Sequence, residues 1–319
     1  MKVLVTGGRG LLGSAVVRNL VGRSHEVTCL QRSAAGNGPD VREVLADVTD
    51  ADAVRDAAQG ADAIVHLAAK VTMTGRWADF ARVNVGGTRN VLAAARAAGV
   101  GRLVFVSSPS VAHAGRPLVG AGADPADPST ARGDYARSKA IAEGLVLEAQ
   151  DVATVAIRPH LVWGPGDTQF VAPIAERARR GRLVFVDAGA ALIDTTYVDN
   201  AADAIGQAME RCRRADVRGL AFVVANGEPR TVREILGRIA QAAGAEEPTW
   251  GVPYRMAAVA GGAVELAARA GQQDPVLTRF VAEQLATAHW FDQRATQAAL
   301  AWVPAISLAE GFARLAASL

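Results

Sequence analysis

The chain has 319 residues, with 34 basic against 32 acidic side chains and a formal charge of +2. Half of it is apolar and 21% is charged, a globular balance that excludes a disordered protein and offers no strong field to nucleic acid. That length suits one large domain or two closely joined ones.

Short β-branched runs alternate with helical patterns through the first half. Strands are predicted at Lys2–Thr6, Glu26–Gln31, Glu43–Ala46, Ala63–His66, Leu103–Ser107 and Thr154–Arg158, and helices at Leu11–Val21, Ala51–Ala58, Trp77–Ala98 and Tyr135–Ala149. Strands that are apolar throughout, each followed by a helix, indicate a parallel sheet covered on both faces, a doubly wound α/β fold of the Rossmann kind. After Pro159 the rhythm changes. Strands are expected at Leu183–Val186 and Leu220–Val224, and the tail is mostly helical with breaks at Gly244, Pro248, Pro253, Pro275 and Pro304. The expected division is a dinucleotide-binding domain over 1–163 and an interleaved, mostly helical substrate lobe over 164–319, with strands around 183–224 returning to the sheet.

The first strand leaves no room for a cleaved signal peptide, and the apolar run Met256–Ala268 is too short to span a bilayer. Cys29 and Cys212 make neither a disulfide framework nor a metal-binding pair, and none of the five histidines has metal-ligand spacing. A cytoplasmic protein is expected, with a homodimer as its assembly.

Thr6-Gly7-Gly8-Arg9-Gly10-Leu11-Leu12-Gly13 joins the first strand to the first helix. Glycines there allow a tight turn and close approach of a pyrophosphate to a helix N-terminus, which points to a dinucleotide. The second strand ends in Gln31-Arg32-Ser33, without the carboxylate that would accept the ribose hydroxyls of NAD. Arg32 and Ser33 suit a 2′-phosphate, so NADP(H) is favoured over NAD(H), although Arg32 also reads as a solvated arginine. Asp47 and Val48, after the third strand, are candidates for the adenine edge.

Tyr135 and Lys139 stand four residues apart on one helix face. With three tyrosines and three lysines (Lys2, Lys70 and Lys139), that spacing arises by chance only about 0.03 times. A phenol beside an ammonium can exchange a proton with a carbonyl or hydroxyl oxygen, and the ammonium is expected to lower the phenol pKa. Ser107, Ser108 and Ser110 end the apolar strand before them, where ligands bind in such sheets.

These segments resemble the extended short-chain dehydrogenases/reductases over nearly the whole chain: TGGRGLLG at 6–13, HLAA at 66–69, VNVGGTRNVLAAA at 83–95, SSPSV at 107–111, YARSK at 135–139 and RPHLVWGPGD at 158–167. The resemblance implies Ser108, Tyr135 and Lys139 as the catalytic set, with Asn84 in support. It also implies Leu67, Ala68 and Ala69 beside the adenosine half, and Pro159, Leu161 and Val162 along the nicotinamide. In Leu192–Asn200, Ile193 replaces the arginine with which sugar-nucleotide epimerases hold a diphosphate. The chain is more similar to the 3β-hydroxysteroid dehydrogenase branch, which includes reductases of 2-alkyl-3-oxoalkanoates. The expected substrate is therefore a small apolar ketone or secondary alcohol, such as a long-chain β-keto acid or a steroid-like compound. A sugar-nucleotide epimerase or dehydratase using bound NAD(P), or a non-catalytic NADP-binding scaffold, is the alternative. Ser110, His160, Trp163 and Ile193 are candidate substrate contacts, and the stretch from Val252 to Ala270 is either a wall for an apolar substrate or internal packing. Asp199 reads as a helix N-cap.

Overall fold

A computed structural model describes residues 1–72, 75–113, 115–271 and 278–319, without the side chains of 266–271. Pro275 and the polar interruption at Arg269 fall outside what is described. Seven strands build the central sheet: β1 (Lys2–Thr6), β2 (Glu26–Gln31), β3 (Val41–Leu45), β4 (Ala63–His66), β5 (Arg102–Val106), β6 (Ala153–Pro159) and β7 (Leu220–Val224). All pairings are parallel, in the order β3-β2-β1-β4-β5-β6-β7. The order reverses beside β1, and the crevice outside the strands' carboxyl ends there is where doubly wound sheets bind ligands.

Successive residues of a strand face opposite sides, so a sheet covered on both faces needs every residue apolar. In β1, Val3 and Val5 pack into one core while Leu4 packs into the other. The first core is closed by α1 (Leu11–Gly22) and the helix Val198–Arg211, the second by α2 (Ala51–Ala58), α3 and α4 (Gly133–Leu147). Here α3 is a composite: Trp77–Phe80, a π-helical stretch Ala81–Gly86, then Gly87–Ala97. A π turn inside an α-helix is uncommon and often marks a functional site. The buried pair Arg158–Glu143 (Nε to Oε2 3.0 Å) ties β6 to α4.

The chain beyond Pro159 holds more strand than the mostly helical tail suggested, and part of it pairs with a segment from the first half. Leu118–Ala121, Leu192–Ile193, Arg230–Thr231 and His289–Phe291 form a four-stranded sheet. Three of these four are pieces of two or three residues, too short for a periodicity to register. Leu183–Val186 is a strand only over Phe185–Val186. Asp199 is not an N-cap. Tyr197 holds that position, and Asp199 lies in the first turn, 3.6 Å from Arg314, where a carboxylate suits the helix dipole.

Candidate active site

At the end of β1 the chain turns with Gly7 at φ +80°, its N–H bonded to the Leu30 oxygen at 3.0 Å. A Cβ on Gly7 would stand 2.8 Å from the Ala68 nitrogen, and one on Gly13 would stand 2.2 Å from the Gly7 oxygen. These two glycines let the turn, the 67–69 segment and α1 close on one another. Gly10 differs. It caps α1 with φ −66° and ψ 166°, open to any residue, and a Cβ there would meet no protein atom nearer than 3.9 Å. No side chain caps α1 and no acid sits in its first turn. Free N–H groups facing open space beside Leu11 and Leu12 are the cradle a pyrophosphate requires, so the residues present fit a dinucleotide.

At the tip of β2 the Gln31 side chain is buried, and neither its oxygen nor its nitrogen has a partner among the described residues. Arg32 and Ser33 are exposed. Arg9 reaches from the glycine turn to donate to the Ser33 hydroxyl at 2.8 Å. Asp47 is ionised below the usual carboxylate range. Burial opposes this, but bonds from Thr49 and the charges of Arg32 and Arg82 outweigh it. Val48 is buried against Gly87 and its oxygen accepts from Asn90 at 3.1 Å.

The segment after β4 is pinned from both sides. Thr6 Oγ1 bonds His66 Nδ1 (2.7 Å) and receives the Ala68 N–H (3.2 Å), and His66 Nε2 bonds Thr88 (3.0 Å). His66 is a satisfied core residue, held neutral by burial and by the Lys139 charge, with its pKa pushed down to about 3. Leu67, Ala68 and Ala69 line the cleft half-buried. Asn84, inside the π stretch, takes the Lys70 N–H (2.7 Å) and donates to the Lys70 oxygen (3.1 Å) and to Ser138 (2.8 Å). Ser138 in turn donates to the Tyr135 oxygen at 2.7 Å. Asn84 thus ties the cleft wall to the helix carrying Tyr135 and Lys139.

On α4, Lys139 is buried. Its Nζ donates to the Val106 oxygen at 2.6 Å and lies 3.9 Å from the centre of the Phe105 ring. Burial pulls its pKa down to about 7, while Glu143 opposes. The Tyr135 phenol is pushed up to about 12 by burial, with Ser108 opposing. The lowering expected from Lys139 does not appear: desolvation outweighs the Ser108 hydrogen bond and favours the neutral phenol. Ser108 begins a short 3₁₀ turn and accepts from the Ser110 N–H (3.3 Å) and hydroxyl (2.9 Å). With its lone pairs engaged by Ser110, the Ser108 hydroxyl is left as a donor, and the oxygen it meets in this structure is that of the Tyr135 phenol.

Pro159 ends β6, His160, Leu161 and Val162 follow it, and Leu161 is in the left-handed region at φ +41°. Its neighbours hold it there: Thr196 donates to the oxygens of Leu161 (3.2 Å) and His160 (2.6 Å). His160 is buried and its Nε2 bonds His289 Nδ1 at 2.8 Å, so that nitrogen serves the lobe junction. Two candidate substrate contacts are core residues instead. Trp163 is 1% exposed, bonded to Thr195 at 2.9 Å and stacked on Phe312 at 4.4 Å. Ile193 packs in the main core between Arg230 and His289. Trp163 was singled out by residue type and Ile193 by its place in a family motif, and an apolar side chain is as apt for a core as for a pocket. Of the Val252–Ala270 stretch, Ala257 packs inward while Met256, Val259 and Val264 are exposed.

A glycine turn at the switch point of a parallel sheet, facing a Tyr-x-x-x-Lys helix, defines an extended short-chain dehydrogenase/reductase. More narrowly, residues 4–254 match the 3-beta hydroxysteroid dehydrogenase/isomerase family, and the chain belongs to it. It is 43% identical to a 2-alkyl-3-oxoalkanoate reductase of Stenotrophomonas maltophilia, over 100% of this chain and 99% of that protein. It is 32% identical to the human sterol-4-alpha-carboxylate 3-dehydrogenase, over 78% of this chain and 69% of that one. Among solved structures, the Thermus thermophilus UDP-glucose 4-epimerase in complex with NAD shares the fold (TM-score 0.72, 24% identity, 100% and 98% of the two chains). The chain is thus an enzyme of a dehydrogenase and reductase family. No helix of the described residues is long and apolar enough to cross a membrane.

Proposed function

We propose that this protein is an NADP(H)-dependent reductase of apolar 3-oxo acids of the 2-alkyl-3-oxoalkanoate class, able to run in reverse as a secondary-alcohol dehydrogenase. The observation that carries the reading is the half-buried Tyr135 phenol beside Ser108, one helical turn from Lys139, whose Nζ is held on the Val106 oxygen at 2.6 Å. The full-length relative at 43% identity supports the substrate class.

Gly7, Gly10, Leu11, Leu12 and Gly13 would hold the pyrophosphate; Gln31, Arg32 and Ser33, with Arg9 alongside, the 2′-phosphate. Asp47 and Val48 would flank the adenine, Leu67 to Ala69 the adenosine half, and Pro159 to Val162 the nicotinamide. When bound, the cofactor supplies the hydride. The protein supplies the proton and the orientation. Ser108 donates to the carbonyl oxygen and orients it, and Tyr135 gives its phenolic proton to the same oxygen, so that C=O becomes CH–OH. A phenol near 12 is a weak acid in water, but it is well matched to an oxygen that becomes an alkoxide as hydride arrives. Lys139 stabilises the phenolate left behind.

Among sugar-nucleotide activities, a diphosphate would need a free arginine near Ile193. Arg230, opposite it, is held by Glu228 and Glu234 at 3.3 Å each. That favours the reductase. The test is NADPH consumption with a panel of ketones and 3-oxo acids, NADH alongside. Tyr135→Phe should lower kcat by about 10²–10⁴-fold while NADPH still binds. Near-normal turnover by that variant overturns the assignment.

A further inference from the structure

Lys70 is one of three lysines among 34 basic residues, and the cofactor reading does not use it. It stands four residues past the end of β4, on the ligand-binding edge of the sheet. Both polar atoms of its backbone are fixed by Asn84, which also grips the Tyr135 helix through Ser138. Its side chain is half-buried and lies against the Phe80 ring, Nζ 5.3 Å from the ring centre, with Gly75 beside it. Phe80 is itself buried, at 1% exposed. Among the described residues no carboxylate lies within ion-pair distance of this ammonium, which lies against the neutral ring.

Several other cations have carboxylate partners. Arg132 is on Glu283, Arg158 on Glu143, Arg230 on Glu228 and Glu234, and Arg314 on Glu310. A partly desolvated ammonium on a clamped backbone, left without a counter-charge, is a poor stabiliser of the fold and a ready receptor for an anion. Lysine also suits a single carboxylate, since it acts as a compact point charge with three donors.

We infer that Lys70 binds the carboxylate of the substrate, so that the acid group and the reacting oxygen are held by two pieces of chain that Asn84 joins. This rests on the proposed 3-oxo acid reading and adds the residue that selects the acid. A 3-oxo acid placed this way has its carboxylate on Lys70, its oxygen on Ser108 and Tyr135, and its alkyl chains directed away from both.

The experiment runs in the oxidative direction, because 3-oxo acids lose CO₂ on standing whereas 3-hydroxy acids do not. The full-length protein is given NADP⁺ with a 2-alkyl-3-hydroxy acid, and separately with the matched secondary alcohol lacking the carboxylate. Calorimetry measures binding of the acid and of NADP⁺. Lys70→Met should reduce the preference for the acid, as a ratio of kcat/KM values, by roughly 10- to 150-fold, the factor equivalent to one charge-assisted bond. Lys70→Arg should restore much of it. An unchanged ratio overturns the inference. So does an equal loss on both substrates with weaker NADP⁺ binding, which would assign Lys70 to the cofactor's phosphates. If the unmodified protein oxidises neither compound yet binds the acid in a manner that Lys70→Met abolishes, the carboxylate site stands and the reductase reading fails. If the acid does not bind at all, both fail.

Discussion

The two glycines at the start of α1 separate cofactor binding from folding, and alanine at each should fail in a different way. A Cβ at Gly13 would lie 2.2 Å from the Gly7 oxygen and 2.9 Å from the Gly8 Cα, both backbone atoms that cannot rotate aside. The turn must shift by about an ångström, and overpacking of that kind costs about 1–3 kcal/mol. For a chain of this length the unfolding entropy converts each kcal/mol to roughly 1.5 °C, so Gly13→Ala should lower Tm by about 1.5–4.5 °C. A Cβ at Gly10 has no atom nearer than 3.9 Å and its φ and ψ suit alanine, so Gly10→Ala should cost at most about 1 kcal/mol through the poorer N-cap. The methyl would, however, project into the space where the pyrophosphate meets the helix. Losing one good N–H contact there, about 1.4 kcal/mol or more, weakens NADPH at least about tenfold. Thermal melts without cofactor, paired with fluorescence titration of NADPH, read the two effects separately. If Gly10→Ala binds NADPH within about twofold of the unmodified protein, or melts as early as Gly13→Ala, the cradle is wrongly placed.

Two further outcomes follow from the charges. Arg32→Ala should remove most of an NADPH preference of roughly 10- to 150-fold in kcat/KM, and Arg9→Ala, through Ser33, a smaller part; equal use of NADPH and NADH by the unmodified protein refutes the assignment. Asp194 is 0% exposed and burial raises its pKa to about 7, with the Thr195 N–H opposing. A carboxyl whose folded-state pKa is raised contributes stability that is intact below about 4 and is lost as pH rises to about 7. Asp194→Asn should therefore gain in Tm relative to the unmodified protein between pH 4.5 and 7.5; a difference that does not change with pH refutes the buried-carboxyl account.

Much of the cofactor half was legible in the sequence. β1, β2, β4 and β7 and the helix α2 occupy the residues that their apolar runs and flanking turns indicated, because a strand buried on both faces must be apolar throughout. The Tyr135–Lys139 pair was legible for another reason: its spacing is set by one helix. Even so, the sign of the Tyr135 shift was not. It depends on how much water the surrounding chain removes, and that is decided by segments such as 108–113 and 159–162 that are remote in sequence.

The chain beyond the parallel sheet resisted for a physical reason that also explains the errors there. Its elements are two-residue strands and pairings between distant residues, such as His160 with His289, separated by 129 positions, and Asn200 with the Ile306 oxygen, separated by 106. No local pattern encodes such contacts. Trp163 was given to the pocket by residue type and Ile193 by its place in a family motif, and packing took both into the core. Lys70 shows the converse. Nothing in its local sequence marks a site, and the inference drawn for it rests on the closing of Asn84 onto its backbone and on the absence, among the described residues, of a carboxylate beside its ammonium. Backbone-driven recognition of a common cofactor leaves glycines at fixed spacing. Recognition of a particular substrate is assembled from side chains that the fold brings together, so it becomes readable once their partners, and the lack of them, are in view.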